Sequence, residues 1–245
     1  MTANPHQPTL ILWDIDRTLV TTGEVSREIY ARAFEEIVGQ PLRELADMAG
    51  RTEQAILVDT LSLHGVTNPE SSFDDFYAAL AVAADKLRER MRVVGNRLPG
   101  AEKALAALAK PNVVQTVVTG NIKPIAVTKL EVFHLSGYID FEVGGYGSDS
   151  DTRPPLILQA WQRAQHKYGQ VFAADRVAVI GDTPLDVAAA REVGVRAIGV
   201  ATGSSGIEDL MAAQADTVLP DLTDTEAVIR ALCPGAPRAG RSCPA

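Results

Sequence analysis

The 245-residue chain carries 23 Lys and Arg against 31 Asp and Glu, a formal net charge of −8, with 46% hydrophobic and 22% charged residues. That balance excludes an intrinsically disordered chain, and it argues against a general nucleic-acid binder, because phosphate backbones demand basic surface. No apolar stretch approaches the roughly 20 residues needed to cross a bilayer, and the N-terminus lacks the basic and apolar regions of a signal peptide, so a cytoplasmic protein with no membrane partner is expected.

The first predicted element is a buried strand, Leu10-Ile11-Leu12-Trp13, which stops abruptly at Asp14 and Asp16. Two carboxylates at the carboxyl end of a strand lie where open parallel sheets hold their ligands. Such close acids favour a cation between them, or a proton on one of them; the bland alternative is two turn formers. After Leu19 the period becomes helical, with Tyr30, Ala33, Phe34, Ile37 and Val38 on one face. Further helices are predicted over 53–64 and 73–91, and Gly95-Asn96-Arg97-Leu98-Pro99-Gly100 ends this block.

From there strand and helix alternate. A helix over 101–110 precedes the strand Val113 to Val118, which ends in Thr119-Gly120-Asn121, a hydroxyl, a glycine and an amide able to hold a phosphate. A helix over 124–134, a short strand over 138–143 and a helix over 155–168 follow. The strand Val177 to Ile180 then runs into Gly181-Asp182-Thr183-Pro184-Leu185-Asp186, where Thr183 suits a helix cap and Pro184 its first turn. The helix reaches Val193, and a strand spans 196–200. This order predicts an α/β protein, a doubly wound parallel sheet with an inserted α-helical segment. His6, His64, His134 and His166 share no metal-ligand spacing, and Trp13 and Trp161 read as core. Cys233 and Cys243 lie in a tail, 233–245, that reads as flexible and outside the chemistry.

Asp14, Asp16 and Thr18, then Thr119, then Asp182 with Asp186 stand in the order of three motifs of the haloacid dehalogenase superfamily. From about Thr9 to Leu222 the chain resembles that superfamily, most closely its phosphoglycolate-phosphatase-like hydrolases. Two positions depart from the pattern. Arg153 stands where the third motif usually has Lys, with Lys123 and Lys129 the nearest other cations, and Arg17 stands where Gly is common.

The resemblance implies a catalytic core over 1–20 and 97–232 and a mobile helical cap over 21–96. It also implies a Mg²⁺-dependent phosphatase of a small phosphorylated metabolite, phosphoglycolate being one candidate. Asp14 is then the nucleophile that becomes an aspartyl-phosphate, and Asp16 the acid and base. Asp14, the Asp16 carbonyl and Asp182 hold the metal, with Asp186 behind them. Thr18, Thr119, Gly120, Asn121 and Arg153 face the phosphoryl group, and Arg51 of Gly50-Arg51-Thr52 meets an anionic leaving group. A dehalogenase is disfavoured, because its reaction has no alkoxide needing Asp16. A phosphomutase, and a noncatalytic phosphate-binding or receiver-like module, are the alternatives.

Overall fold

The computed structural model describes residues 7–66 and 73–232; the tail over 233–245 and its two cysteines lie outside them. Six parallel strands form one sheet in the order β5-β4-β1-β6-β7-β8. Strand β1 (Thr9–Trp13) lies at its centre between β4 (Val113–Thr119) and β6 (Val177–Gly181). Outside them run β5 (Gly145–Tyr146), β7 (Arg196–Val200) and β8 (Thr217–Leu219).

Side-chain alternation along β1 explains the two helical layers. Ile11 and Trp13 pack with α5 (Ala101–Leu108), α6 (Lys123–Val132) and α10 (Thr225–Leu232). Leu10 and Leu12 face the other way, onto α7 (Arg153–Tyr168), α8 (Pro184–Val193) and α9 (Ile207–Ala212). A strand buried on both faces reads as a continuous apolar run, as β1 does. Trp13 is fully buried, and its indole N–H donates to Gln115 Oε1 at 3.2 Å.

Between β1 and β4 the chain makes a long excursion. It leaves through β2 (Val20–Thr21) and returns through β3 (Asn96–Arg97), which pair antiparallel as a two-stranded neck. Beyond the neck lie α1 (Val25–Val38), α2 (Glu53–Leu63), α3 (Phe73–Lys86) and α4 (Arg88–Val94). Tyr30, Ala33 and Phe34 are buried, as the helical period requires. Phe34, Leu57, Leu61 and Phe76 form a separate apolar cluster inside this segment, while Ile56, Leu80, Leu87 and Met91 join the cluster of the sheet.

Two expectations need correction. The helix expected over 73–91 is interrupted at Leu87 (φ −97°, ψ 8°) and continues as α4 to Val94; no Gly or Pro marks the break, and Leu87 at the break and Met91 beyond it are buried. The strand expected over 138–143 is a 3₁₀ turn, Ser136–Tyr138, followed by irregular chain. Asp140 interrupts that run: its amide donates to Gln115 O, its carbonyl accepts from Thr116 Oγ1, and its carboxylate takes the Glu142 amide. The ladder to β4 forms only at Gly145 and Tyr146, where a Cβ on Gly145 would meet the Leu156 carbonyl at 2.2 Å. Beyond Val200, α9, β8 and α10 extend the same alternation further than the sequence reading did. Among the described residues no helix is long and apolar enough to cross a membrane.

Candidate active site

Three neighbouring strands deliver their polar ends to one place. Asp14 directly follows β1, and its amide still bonds Ile180 O at 2.9 Å, which ties it to the sheet with its side chain at the edge. The chain then turns tightly, with Leu19 N–H and Val20 N–H both donating to Ile15 O. Arg17 takes φ +60° in this turn, a left-handed conformation that glycine adopts more cheaply. Thr202 Oγ1 secures it by donating to Arg17 O at 2.5 Å. The Arg17 side chain is exposed and lines the cavity described below.

Asp182 follows β6, and α8 begins immediately after it. Thr183 caps α8 with its side chain, and Asp186 reciprocates through Oδ2, which accepts from the Thr183 amide and hydroxyl. Asp14, Asp182 and Asp186 thereby bring one carboxylate oxygen each within 4.8 Å of one another, all three buried. A Cβ at position 203 would come within 1.7 Å of Asp182 Oδ2, so Gly203 lets the Asp182 carboxylate keep this orientation.

Arg153, the first residue of α7, reaches into this acidic group. Its Nη2 donates to Asp14 Oδ1 at 2.9 Å and lies 2.5 Å from Asp186 Oδ1. One guanidinium against three buried carboxylates leaves a surplus of negative charge. Burial, then the neighbouring Asp186, push Asp14 well above the usual carboxylate range. The same two causes push Asp182 up to about 7. Burial works against the charge of Arg153, but Asp186 and Asp14 outweigh it and keep the guanidinium protonated. An all-oxygen, over-acidic donor set of this kind suits a hard divalent cation.

The other half of the site is built around Asp16. Lys129 Nζ donates to both its carboxylate oxygens at 2.7 Å and to Asn121 Oδ1 at 2.8 Å. Asn121 Nδ2 in turn donates to Asp16 Oδ2 at 2.7 Å and to Thr119 Oγ1 at 2.8 Å. Thr119 Oγ1 also accepts from the Asn121 amide, which leaves its own hydroxyl proton to donate elsewhere.

A cavity of about 600 Å³ opens over these residues. Its floor is Asp14, Asp16, Thr119, Gly120, Asn121, Lys129, Arg153 and Asp182; its roof comes from the inserted segment, including Arg27, Met48, Arg51 and Glu53. The roof meets the floor through main chain: Glu53 N–H donates to Gly120 O at 2.8 Å and Gln54 N–H to Gly147 O at 3.0 Å. Gly120 permits this approach, since a Cβ there would lie 2.0 Å from Arg51 O.

The residues expected at the site are thus brought together, with differences of detail. Thr18 is fully buried beneath Asp14, with Oγ1 3.5 Å from Asp14 Oδ2, and does not line the cavity. Asn121 spends its side chain on Asp16, Thr119 and Lys129. Arg51 lines the roof, but its guanidinium is paired with Asp59 at 2.6 Å and donates to the Asp47 and Ala55 carbonyls.

Sequence reasoning had no place for Glu53, which is buried and accepts from Tyr30 Oη at 2.5 Å; burial raises its carboxyl, opposed by that hydrogen bond and by Lys129. Lys129 was weighed only as an alternative third-motif cation. Its signal lies in the helical period: Ile125, Ala126 and Leu130 of α6, with Ile122 and Phe133 flanking it, form a buried face, and Lys129 falls among them.

Comparison with known proteins shows the family and the fold. The family model described as haloacid dehalogenase-like hydrolase matches residues 11–191. A phosphoglycolate phosphatase of Agrobacterium fabrum is 26% identical over 227 residues, covering 90% of this chain and 91% of the relative. One of Vibrio cholerae is 23% identical, covering 87% and 93%. Among solved structures, a predicted phosphatase from Clostridium acetobutylicum superposes with a TM-score of 0.64 at 18% identity, covering 91% of this chain and 99% of that one. With the family model spanning the first acidic turn through α8, the chain belongs to the haloacid dehalogenase-like hydrolases.

Proposed function

We propose that the chain is a Mg²⁺-dependent phosphatase that hydrolyses a small phosphorylated metabolite through an aspartyl-phosphate on Asp14. The observation that carries this reading is the pairing of a buried carboxylate cluster, Asp14, Asp182 and Asp186, with a second acid, Asp16, two residues along the same turn. In this reading residues 21–96 are a cap over a core of 1–20 and 97–232. Phosphoglycolate is the first substrate to test, because it is the substrate in the names of the relatives above.

Asp14, the Asp16 carbonyl and Asp182 would hold the cation. When bound, it supplies positive charge that offsets the repulsion between a carboxylate and a dianionic phosphate. Asp186 stands behind, anchoring Arg153 and Thr183. A carboxylate oxygen of Asp14 forms a bond to phosphorus as the bond to the leaving oxygen breaks, and Asp16 gives that oxygen a proton. Asp16, now a carboxylate, takes a proton from the water that attacks the phosphoaspartate, returning Asp14 and releasing inorganic phosphate. The Thr119 hydroxyl and Arg153 bind the phosphoryl oxygens. Arg51, on the cap side, selects among leaving groups.

Purified protein should release phosphate from an aryl phosphate and from phosphoglycolate with Mg²⁺, and lose that activity in EDTA. No Mg²⁺-dependent release from any phosphate ester would refute the proposal and leave a noncatalytic phosphate-binding module as the better account.

A further inference from the structure

Each of the two carboxylates that this reading makes reactive has its own buried cation. Arg153, 7% exposed, holds Asp14; Lys129, 2% exposed, holds Asp16. The two pairs come from different parts of the core, Arg153 from the start of α7 and Lys129 from the last turn of α6. In an in-line displacement the nucleophile and the leaving oxygen lie on opposite sides of phosphorus. A cation on Asp14 therefore serves the entering side, and a cation on Asp16 the departing side.

We propose that Lys129 is the positioning residue of the leaving-group half of the site, fixing the Asp16 carboxylate beside the leaving oxygen and keeping a fixed positive charge there. The proposal rests on the phosphatase reading given above. Lys129, Asn121 and Asp16 form a closed ring of hydrogen bonds, so the Asp16 side chain is held by two groups rather than left to rotate. That side chain is still 39% exposed, so it remains open to the cavity while its partner is buried. An atom hydrogen-bonded to an Asp16 oxygen lies within about 5 Å of Nζ, near enough for charge on a departing alkoxide to feel the ammonium.

The grip of both oxygens fits the carboxylate form, the form left once the proton is given away. When Asp16 carries its proton, one oxygen keeps the Lys129 and Asn121 bonds and the other turns its O–H toward the leaving oxygen. The O–H bond of Asp16 then breaks as that of the product alcohol forms, while the P–O electron pair goes to the leaving oxygen. Arg51, tied to Asp59 on the roof, does not reach this part of the site through any bond.

The test is a leaving-group series with Mg²⁺, from nitrophenyl phosphate to phenyl phosphate to an alkyl phosphate. Lys129→Met should lower kcat/KM for the alkyl ester on the order of tenfold more than for the nitrophenyl ester, whose departure needs little help. Lys129→Gln, which retains a donor and is the milder change should the methionine variant fold poorly, should give an intermediate slope. In an Asp16→Asn background Lys129→Met should add no further discrimination. The Mg²⁺ concentration for half-maximal activity should not move. A purely structural role would lower all members of the series alike. Equal losses, or none, in an active enzyme overturn the assignment of Lys129 alone; a wild-type protein inert toward every ester overturns it together with the phosphatase reading.

Discussion

Removing the metal should make the stability of this protein fall as pH rises, and Asp182 gives the size of the effect. Its carboxyl is pushed from an ordinary 3.8 up to about 7 by burial and by Asp186. Between those values the folded state binds the proton and the unfolded state does not, so unfolding free energy decreases with pH across the window. The contribution is fully present below about pH 4 and gone above about pH 7. A shift of this size corresponds to a few kcal/mol, or roughly 5–15 °C in melting temperature for a chain of this length.

Thermal unfolding of EDTA-treated protein, followed from pH 5 to pH 8, should show that decline, and millimolar Mg²⁺ should restore the loss at the upper end by binding only the folded, ionised site. Asp182→Asn should make the metal-free profile shallower, leaving the part that buried Asp14 carries, and weaken the response to Mg²⁺. A metal-free melting temperature that held steady or rose over this range in the wild type, matching that of Asp182→Asn, would refute the assignment of an over-acidic, uncompensated cluster.

Other consequences follow from single contacts. Arg153→Ala leaves Asp14 and Asp186 buried without their cation and should cost about 3–5 kcal/mol of metal-free stability along with most activity; Arg153→Lys should recover part, since an ammonium cannot reproduce the guanidinium fork, and unchanged kinetics and melting in both would move the third-motif cation elsewhere. Gly120→Ala forces a methyl to within 2.0 Å of the Arg51 carbonyl, so the inserted segment must lift from the floor; a loss of about 1–3 kcal/mol is expected with kcat/KM down at least tenfold, and wild-type kinetics and melting would contradict the seam. Arg51→Ala breaks a partly exposed pair with Asp59 worth no more than about 1 kcal/mol, yet should lower kcat/KM for a phosphate ester with an acidic leaving group roughly tenfold more than for a neutral aryl phosphate. Equal losses on both would assign Arg51 to seating the cap.

The parts of this account visible in the sequence are those encoded locally. An apolar run broken by Asp14 and Asp16, another broken by Asp182, and Thr183-Pro184 with Asp186 three residues after the cap each state a strand end or a helix start within about ten residues. The doubly wound parallel sheet followed from the alternation of strand and helix, and the helical face of α1 from the spacing of Tyr30, Ala33 and Phe34; the order of the strands did not. What escaped depends on residues far apart in the chain. Lys129 meets Asp16 across 113 positions, and Arg153 meets Asp14 across 139; the position of Arg153 was expected, its partners were not. Asn121 read as a phosphate donor because a small amide after a strand suits that role, and only the fold shows that Asp16 and Lys129 claim it. The edge strand was placed too early because Tyr138, Ile139 and Val143 look β-like, while the decisive constraint, the passage of Gly145 against Leu156 O, belongs to α7.

Phosphate carried on Asp14 can be trapped there. Asp16→Ala, mixed with nitrophenyl phosphate and Mg²⁺ and quenched in acid within milliseconds to seconds, should yield protein phosphorylated in stoichiometric amounts, with the label mapped by mass spectrometry to the peptide containing Asp14 and absent from Asp14→Asn. Phosphate release by the wild type with no label on Asp14 under any quench time, or a label on another residue, would rule out Asp14 as the nucleophile.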